Sequence, residues 1–317
     1  MTSPSAAITP TLLAPLDGSP AAEAILPAIE VLATRMPAAV VLLHVIERRA
    51  PRHVHGERHL SNETEADAYL RDVAARLAAR GIAATWHVHT VPVGDVPRSI
   101  AAHAAEHDAA LIMLSVHGTG DPRSWWSGAV AQAVIRHAHV PVLLVRAGEQ
   151  RGGAPFAPQV VTVALDADRQ GESALPAAAR LARTLGTPLR LFMVVPTVAT
   201  IPGDQAAAAR LIPSGAAAAL DVEAAAATDY LARLAARVPA LAGEVPVVAE
   251  VARGDPAQAM TELTRQQPGI LALATHGRAG LDALWSGSIG SRVIARASGP
   301  FLLVHPEPAD AIPQAGR

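Results

Sequence analysis

The sequence predicts an α/β fold written twice, as two tandem doubly wound domains with five parallel strands each. Three observations predict it. At 317 residues the chain is too long for one ordinary small domain and comfortable for two of about 150. One set of strand ends and glycine-rich loops recurs along it, at a constant offset of 159 residues from His117 to Val145. Strands alternate with helices through both copies, and the strands are short apolar runs, as expected where both sheet faces are covered.

The repeat is legible segment by segment. TLLAPLDGS (11–19) returns, with one residue of slack at the front, as VTVALDADR (161–169), which superposes Asp17 on Asp166. VVLLHVI (40–46) answers to LRLFMVV (189–195), and Gly94-Asp95 answers to Gly254-Asp255. The clearest pair is LIMLSVHGTG with SGAVAQAVIRHAHVPVLLV (111–145) against LALATHGRAG with SGSIGSRVIARASGPFLLV (271–304). The resulting division is a first domain over 8–147, a linker over 148–158 rich in Gly, Pro and charge, a second domain over 159–306, and a tail over 307–317.

In the first copy, strands are expected near 11–17, 39–46, 84–91, 110–116 and 140–145, with helices near 19–36, 62–80, 95–107 and 128–138. In the second, strands are expected near 160–166, 188–195, 244–252, 269–275 and 299–304, with helices near 171–185, 216–238, 255–266 and 287–297. In such Rossmann-like sheets ligands sit at the carboxyl ends of the strands, where the strand order reverses. That rule selects Asp17 and Asp166, Val45 and Val194, Gly94 and Gly254, and the loops after residues 116 and 275.

Composition excludes several chemistries. The chain has no Cys, which removes disulfides, thiol nucleophiles and thiolate metal sites. All 26 basic residues are Arg, so there is no Walker-type lysine and no Schiff-base chemistry. A net charge of -2 gives no global basic field for nucleic acid or an anionic membrane. Alanine, at 70 residues, suits helices packed closely on a sheet. The N-terminal MTSPSAAITP lacks the basic and apolar regions of a signal peptide, and the longest apolar runs are strand-length. A cytoplasmic protein without membrane or nucleic-acid partners is expected.

The strongest motif is the loop from the fourth strand into the fourth helix. The second copy reads Ala274-Thr275-His276-Gly277, then nine residues, then Gly287-Ser288 opening a helix. Glycines let a backbone approach an anion, and a helix start offers free N–H groups, a partial positive charge and here a hydroxyl. Read from these residues alone, the loop is either an anion cradle or an ordinary turn with an N-cap. Asp17 and Asp166 are likewise either ligands or caps of the turn that follows. Arg123 and Arg278 in the same loops either neutralise phosphates or are simply solvated.

This spacing, Gly-x2-Gly-x9-Gly-Ser/Thr followed by a last strand of the Pro-Val-Leu-Val kind, resembles the universal stress protein family, and the chain looks like a tandem two-domain member. The resemblance implies adenine and ribose contacts at Ala164, Leu165, Asp166 and Val194, and at Pro15, Leu16, Asp17 and Val45. It implies that Leu273 and Ala274 line the fourth strand end, with phosphate contacts at Gly277, Gly287, Ser288 and Ile289. In the first copy the matching positions are Ser115, Gly118, Gly128, Ala129 and Val130. The motif's first glycine is Ala274 in one copy and Ser115 in the other, so a β-carbon intrudes in both. Ser288 is retained while Ala129 replaces it in the first copy, which favours the second copy for ATP.

The resemblance further implies that the last strands, 141–145 and 300–304, are dimerisation edges, so an internal pseudo-dimer and further association of chains are expected. The expected function is ATP binding, with or without Mg2+, by a stress-response regulatory protein with little or no turnover and with its protein partner unspecified. No catalytic or metal-ligating residue is assigned. The rivals are a nucleotide-free interaction module and a slow Mg2+-dependent ATPase using Asp166. Eleven of the 13 histidines fall in the first copy. HVHGERH (53–59) and WHVH (86–89) offer imidazoles to a metal, but the expected reading is scattered surface histidines. His117 and His276 are expected to shape the phosphate loops.

Overall fold

The computed structural model describes residues 9–48, 53–54, 57–58, 60–116, 129–147, 155–166, 170–201, 211–239, 243–275 and 289–305. The chain divides into two compact units that meet in sequence between Phe156 and Ala157.

The first unit runs β1 (Thr11–Pro15), a 3-10 turn (Ala22–Ile25), α1 (Leu26–Arg35), β2 (Ala39–Glu47), the short pair β3 (His53–Val54) and β4 (Glu57–Arg58), α2 (Glu63–Ala78), β5 (Ala84–Val93), α3 (Val96–Glu106), β6 (Ala109–Val116), α4 (Ala129–His137) and β7 (Val142–Arg146). Its five long strands lie in the order β7-β6-β1-β2-β5, all parallel. The second unit repeats the plan as β8 (Val161–Leu165), a 3-10 turn (Gly171–Ala174), α5 (Leu175–Leu185), β9 (Leu189–Val195), α6 (Pro213–Arg237), β10 (Val247–Arg253), α7 (Pro256–Gln266), β11 (Ile270–Ala274), α8 (Ile289–Arg296) and β12 (Phe301–Val304). Its order is β10-β9-β8-β11-β12, again parallel.

The central strands explain the near-continuous apolar runs. Leu12, Leu13 and Ala14 of β1 are wholly buried, as are Leu42 and Leu43 of β2 and Ile112 of β6. Each such leucine or isoleucine side chain contributes about 1.5–3 kcal/mol by leaving water. Polar residues at helix starts do the other work. Asn62, the chain's one asparagine, accepts the Glu65 N–H at 2.9 Å and caps α2. Asp95 and Asp255 cap α3 and α7 through the N–H groups of Arg98 and Gln258.

The doubly wound architecture is as the sequence predicts, and some element ends differ. The helix expected over 19–36 starts only at Ala22, and as a 3-10 turn, because Asp17 and Ser19 hold the preceding residues in their own turn. The helix expected from 216 starts at Pro213, where a proline suits the first helical turn. The pair β3–β4 was not anticipated in loop 47–61, since two-residue strands leave no periodic signature.

Candidate functional site

In each unit the strand order reverses beside the first strand, between β1 and β6 and between β8 and β11. The carboxyl ends of these strands and of β2 and β9 gather the described candidates: Pro15, Leu16, Asp17, Val45 and Ser115 in one unit, and Ala164, Leu165, Asp166, Val194, Leu273 and Ala274 in the other. Gly118, Gly128, Gly277, Gly287 and Ser288 lie outside the described residues, as do His117, His276, Arg123 and Arg278. Ala129 and Ile289 open α4 and α8, with Val130 exposed one residue on.

The two strand ends are built differently. In the first unit Asp17 Oδ1 accepts the Ser19 N–H at 2.9 Å, and the buried Ser19 hydroxyl accepts the Ala22 N–H at 3.1 Å. Asp17 therefore does cap the turn, one of the two roles open to it. Gly18 has φ +90°, and a β-carbon there would come 2.7 Å from Leu60. Leu60 thus sits directly on the turn that follows β1. His44 of β2, only 2% exposed, holds it there. The His44 Nδ1 donates to the Leu16 carbonyl at 2.7 Å, and its Nε2 lies 3.2 Å from the Leu60 carbonyl. Val45, next along, is buried, and the Ser115 hydroxyl is a buried group with no hydrogen-bond partner among the described residues.

In the second unit Met193 replaces His44 at the level of Leu165. Asp166 is exposed, and Ala164 and Val194 are half-buried. Gly171 makes room for the carboxylate, because a β-carbon at that position would stand 2.9 Å from Asp166 Oδ1. At the fourth strand Ala274 is buried and its neighbour Thr275 is wholly so. The Thr275 N–H and hydroxyl both donate to the Val304 carbonyl, at 2.8 and 3.2 Å, and fasten the end of β11 to β12.

Beside each aspartate lies a carboxylate–tyrosine–arginine cluster that the sequence reading missed. Tyr230 of α6 donates to Glu172 at 3.1 Å, and Arg237 lies 3.5 Å from the other oxygen of Glu172. In the first unit Arg76 of α2 donates to Glu23 at 2.8 Å, and Tyr69 is buried against the charges of Glu23 and Asp17. Burial first, and then the neighbouring carboxylates, push both phenols well above their usual pKa. Both stay neutral; Tyr230 donates to Glu172, while the buried Tyr69 hydroxyl has no hydrogen-bond partner among the described residues. The available signal was that the chain has only two tyrosines, placed at matched positions of the repeat.

At the second unit's other strand end, Asp255 pairs with Arg292 of α8 at 3.1 Å. Desolvation opposes ionisation, but the Gln258 N–H and the Arg292 guanidinium outweigh it and hold the Asp255 carboxyl below its usual range. The histidines are not uniformly superficial as expected, since His44 and His103 are buried. Among the described residues no helix is long and apolar enough to cross a membrane.

The sequence profile of the Universal stress protein family matches residues 9–146 and again 158–305. Among solved structures, a universal stress protein from Archaeoglobus fulgidus DSM 4304 is similar over 93% of this chain and 96% of its own, at 17% identity and a TM-score of 0.63. A functionally unknown protein from Pseudomonas aeruginosa PAO1 is similar over 94% of this chain and 93% of its own, at 13% identity and a TM-score of 0.63. At these identities the likeness is one of fold. No curated protein matches the chain.

Proposed function

The chain belongs to the universal stress protein family, and from that premise we propose that it is an adenine-nucleotide-binding regulatory protein of the stress response, with ATP held in the second unit and little or no turnover. The observation that carries this reading is the exposed Asp166 at the end of β8 in the second unit. Asp166 is exposed beside the notch at Gly171, where its carboxylate can accept ribose hydroxyls. The half-buried Ala164 and Val194 flank it with apolar surface for a base. Phosphates would fall to Gly277, Gly287 and Ser288, and to the first turn of α8 at Ile289. Leu273 and Ala274 would close the floor.

The described acids fit ribose better than they fit Mg2+. Glu172, the described carboxylate nearest Asp166 in sequence, is already taken by Tyr230 and Arg237. Any Mg2+ would then be held through the nucleotide's own phosphates, which accords with slow or absent hydrolysis.

In the first unit, Leu60, beside the buried His44, covers the turn after β1. That arrangement favours a nucleotide-free first unit, so Pro15, Leu16, Asp17, Val45, Ser115, Gly118, Gly128 and Ala129 are scaffold positions on this reading. The test is phosphate release and ATP binding by wild type and Asp166→Ala. Binding without release that disappears in the variant supports the reading. Phosphate release abolished by Asp166→Ala would instead support the ATPase.

A further inference from the structure

Away from the strand ends, the first unit gathers an imidazole cluster on its outermost strand. His87 and His89 are alternate residues of β5 and share one face of it. His103 of α3 meets them there. Its Nε2 lies 3.0 Å from His89 Nδ1, and its ring centroid lies 4.9 Å from that of His87. One ring nitrogen from each of the three falls within 4.8 Å of the others.

Two further observations turn a cluster into a ligand set. His103 is only 6% exposed, and its Nδ1 lies 2.7 Å from Glu106 Oε2. This is a close approach rather than an aligned hydrogen bond, and the tautomer with its proton on Nδ1, facing the carboxylate, leaves the Nε2 lone pair pointing at His89. Pinning the far nitrogen of a ligating histidine in this way is what orients imidazoles around metals. A tetrahedral ion with metal–nitrogen bonds of about 2.0–2.1 Å needs ligand nitrogens about 3.3 Å apart, which small ring rotations supply here.

The second unit then shows that the fold does not need these imidazoles. With the β2–β5 and β9–β10 registers superposed, the positions of His87 and His89 are held by Glu250 and Ala252 of β10, and with Gly94-Asp95 aligned on Gly254-Asp255 that of His103 is held by Leu263 of α7. The same strand and helix stand without an imidazole at any of the three.

We propose that His87, His89 and His103 bind one divalent transition-metal ion of the imidazole-preferring class, Zn2+ foremost, with Glu106 orienting His103 and the fourth position left to solvent. Nitrogen donors without thiolate or clustered carboxylate select such borderline ions over Mg2+ or Ca2+. The ion would clip an outer strand to the helix that follows it.

The experiment uses the tag-free full-length chain, stripped with chelator and titrated with Zn2+ against a chromophoric competitor. One Zn2+ per chain is expected. The triple substitution His87→Val, His89→Ala, His103→Leu removes all three imidazoles, and should weaken binding by about 100-fold or more while far-ultraviolet circular dichroism stays native. His89→Ala alone, on the half-buried strand position, and Glu106→Gln should each weaken it by about 10-fold or more. His53→Ala, in the other histidine-rich segment, should leave it unchanged. Co2+ should give the intense visible bands of a four-coordinate site in wild type and not in the variants. Absence of stoichiometric binding by wild type, or binding that survives the substitutions, would overturn the proposal.

Discussion

The Tyr230 hydroxyl donates to Glu172 at 3.1 Å, and the only other tyrosine of the chain, Tyr69, faces Glu23 at the matching place in the first unit. The Tyr230 bond fastens the long α6 to the 3-10 turn Gly171–Ala174, which follows the strand-end aspartate. Tyr230→Phe should therefore cost about 0.5–1.5 kcal/mol in urea unfolding, the net value of one such bond. Glu172 keeps Arg237 as a partner, which limits the loss.

Gly171 and Ala22 occupy equivalent places after the first strand of each unit. Gly171→Ala imports the first unit's residue, so the fold should tolerate it. The new β-carbon would crowd Asp166 Oδ1 and turn the carboxylate aside. Nucleotide affinity in calorimetry should fall about tenfold, or about 1.4 kcal/mol, with the melting temperature of the empty protein nearly unchanged.

His44→Met copies Met193 and removes the donor to the Leu16 carbonyl. A buried carbonyl loses its partner, and the predicted loss of stability is about 1–3 kcal/mol. Limited proteolysis between β2 and α2 should accelerate as Leu60 loosens.

Asp255 contributes a pH dependence of known sign. Its folded-state pKa is depressed below the ordinary 3.8, so its stabilisation is fully present above that value and is lost as pH falls through the lower native one. The pair with Arg292 is partly exposed and worth at most about 1 kcal/mol. Urea midpoints of wild type and Arg292→Ala should differ at pH 6 and converge toward pH 3.

The architecture was legible because the chain states it twice. Matched Asp17 and Asp166, and matched Gly94-Asp95 and Gly254-Asp255, tie element order to strand ends without any knowledge of packing. The difference between the two strand ends was not legible. It depends on Leu60 reaching Gly18 and on His44 bonding carbonyls 28 and 16 residues away, contacts that periodicity does not encode. The tyrosine clusters were missed for the same reason, since Glu172 and Tyr230 are 58 residues apart. The histidines were half visible. Alternation puts His87 and His89 on one face of a strand, but only the packing of α3 brings His103 to it.

The most direct measurement of the central claim is of what the purified chain carries. The protein is heat-denatured, and the supernatant is resolved by anion exchange against adenine nucleotides, for wild type, Asp166→Ala and Asp17→Ala. The account predicts about one ATP per chain in wild type, retained in Asp17→Ala and lost in Asp166→Ala. No nucleotide, together with no thermal shift on adding millimolar ATP, would contradict it, as would nucleotide that follows Asp17 instead of Asp166.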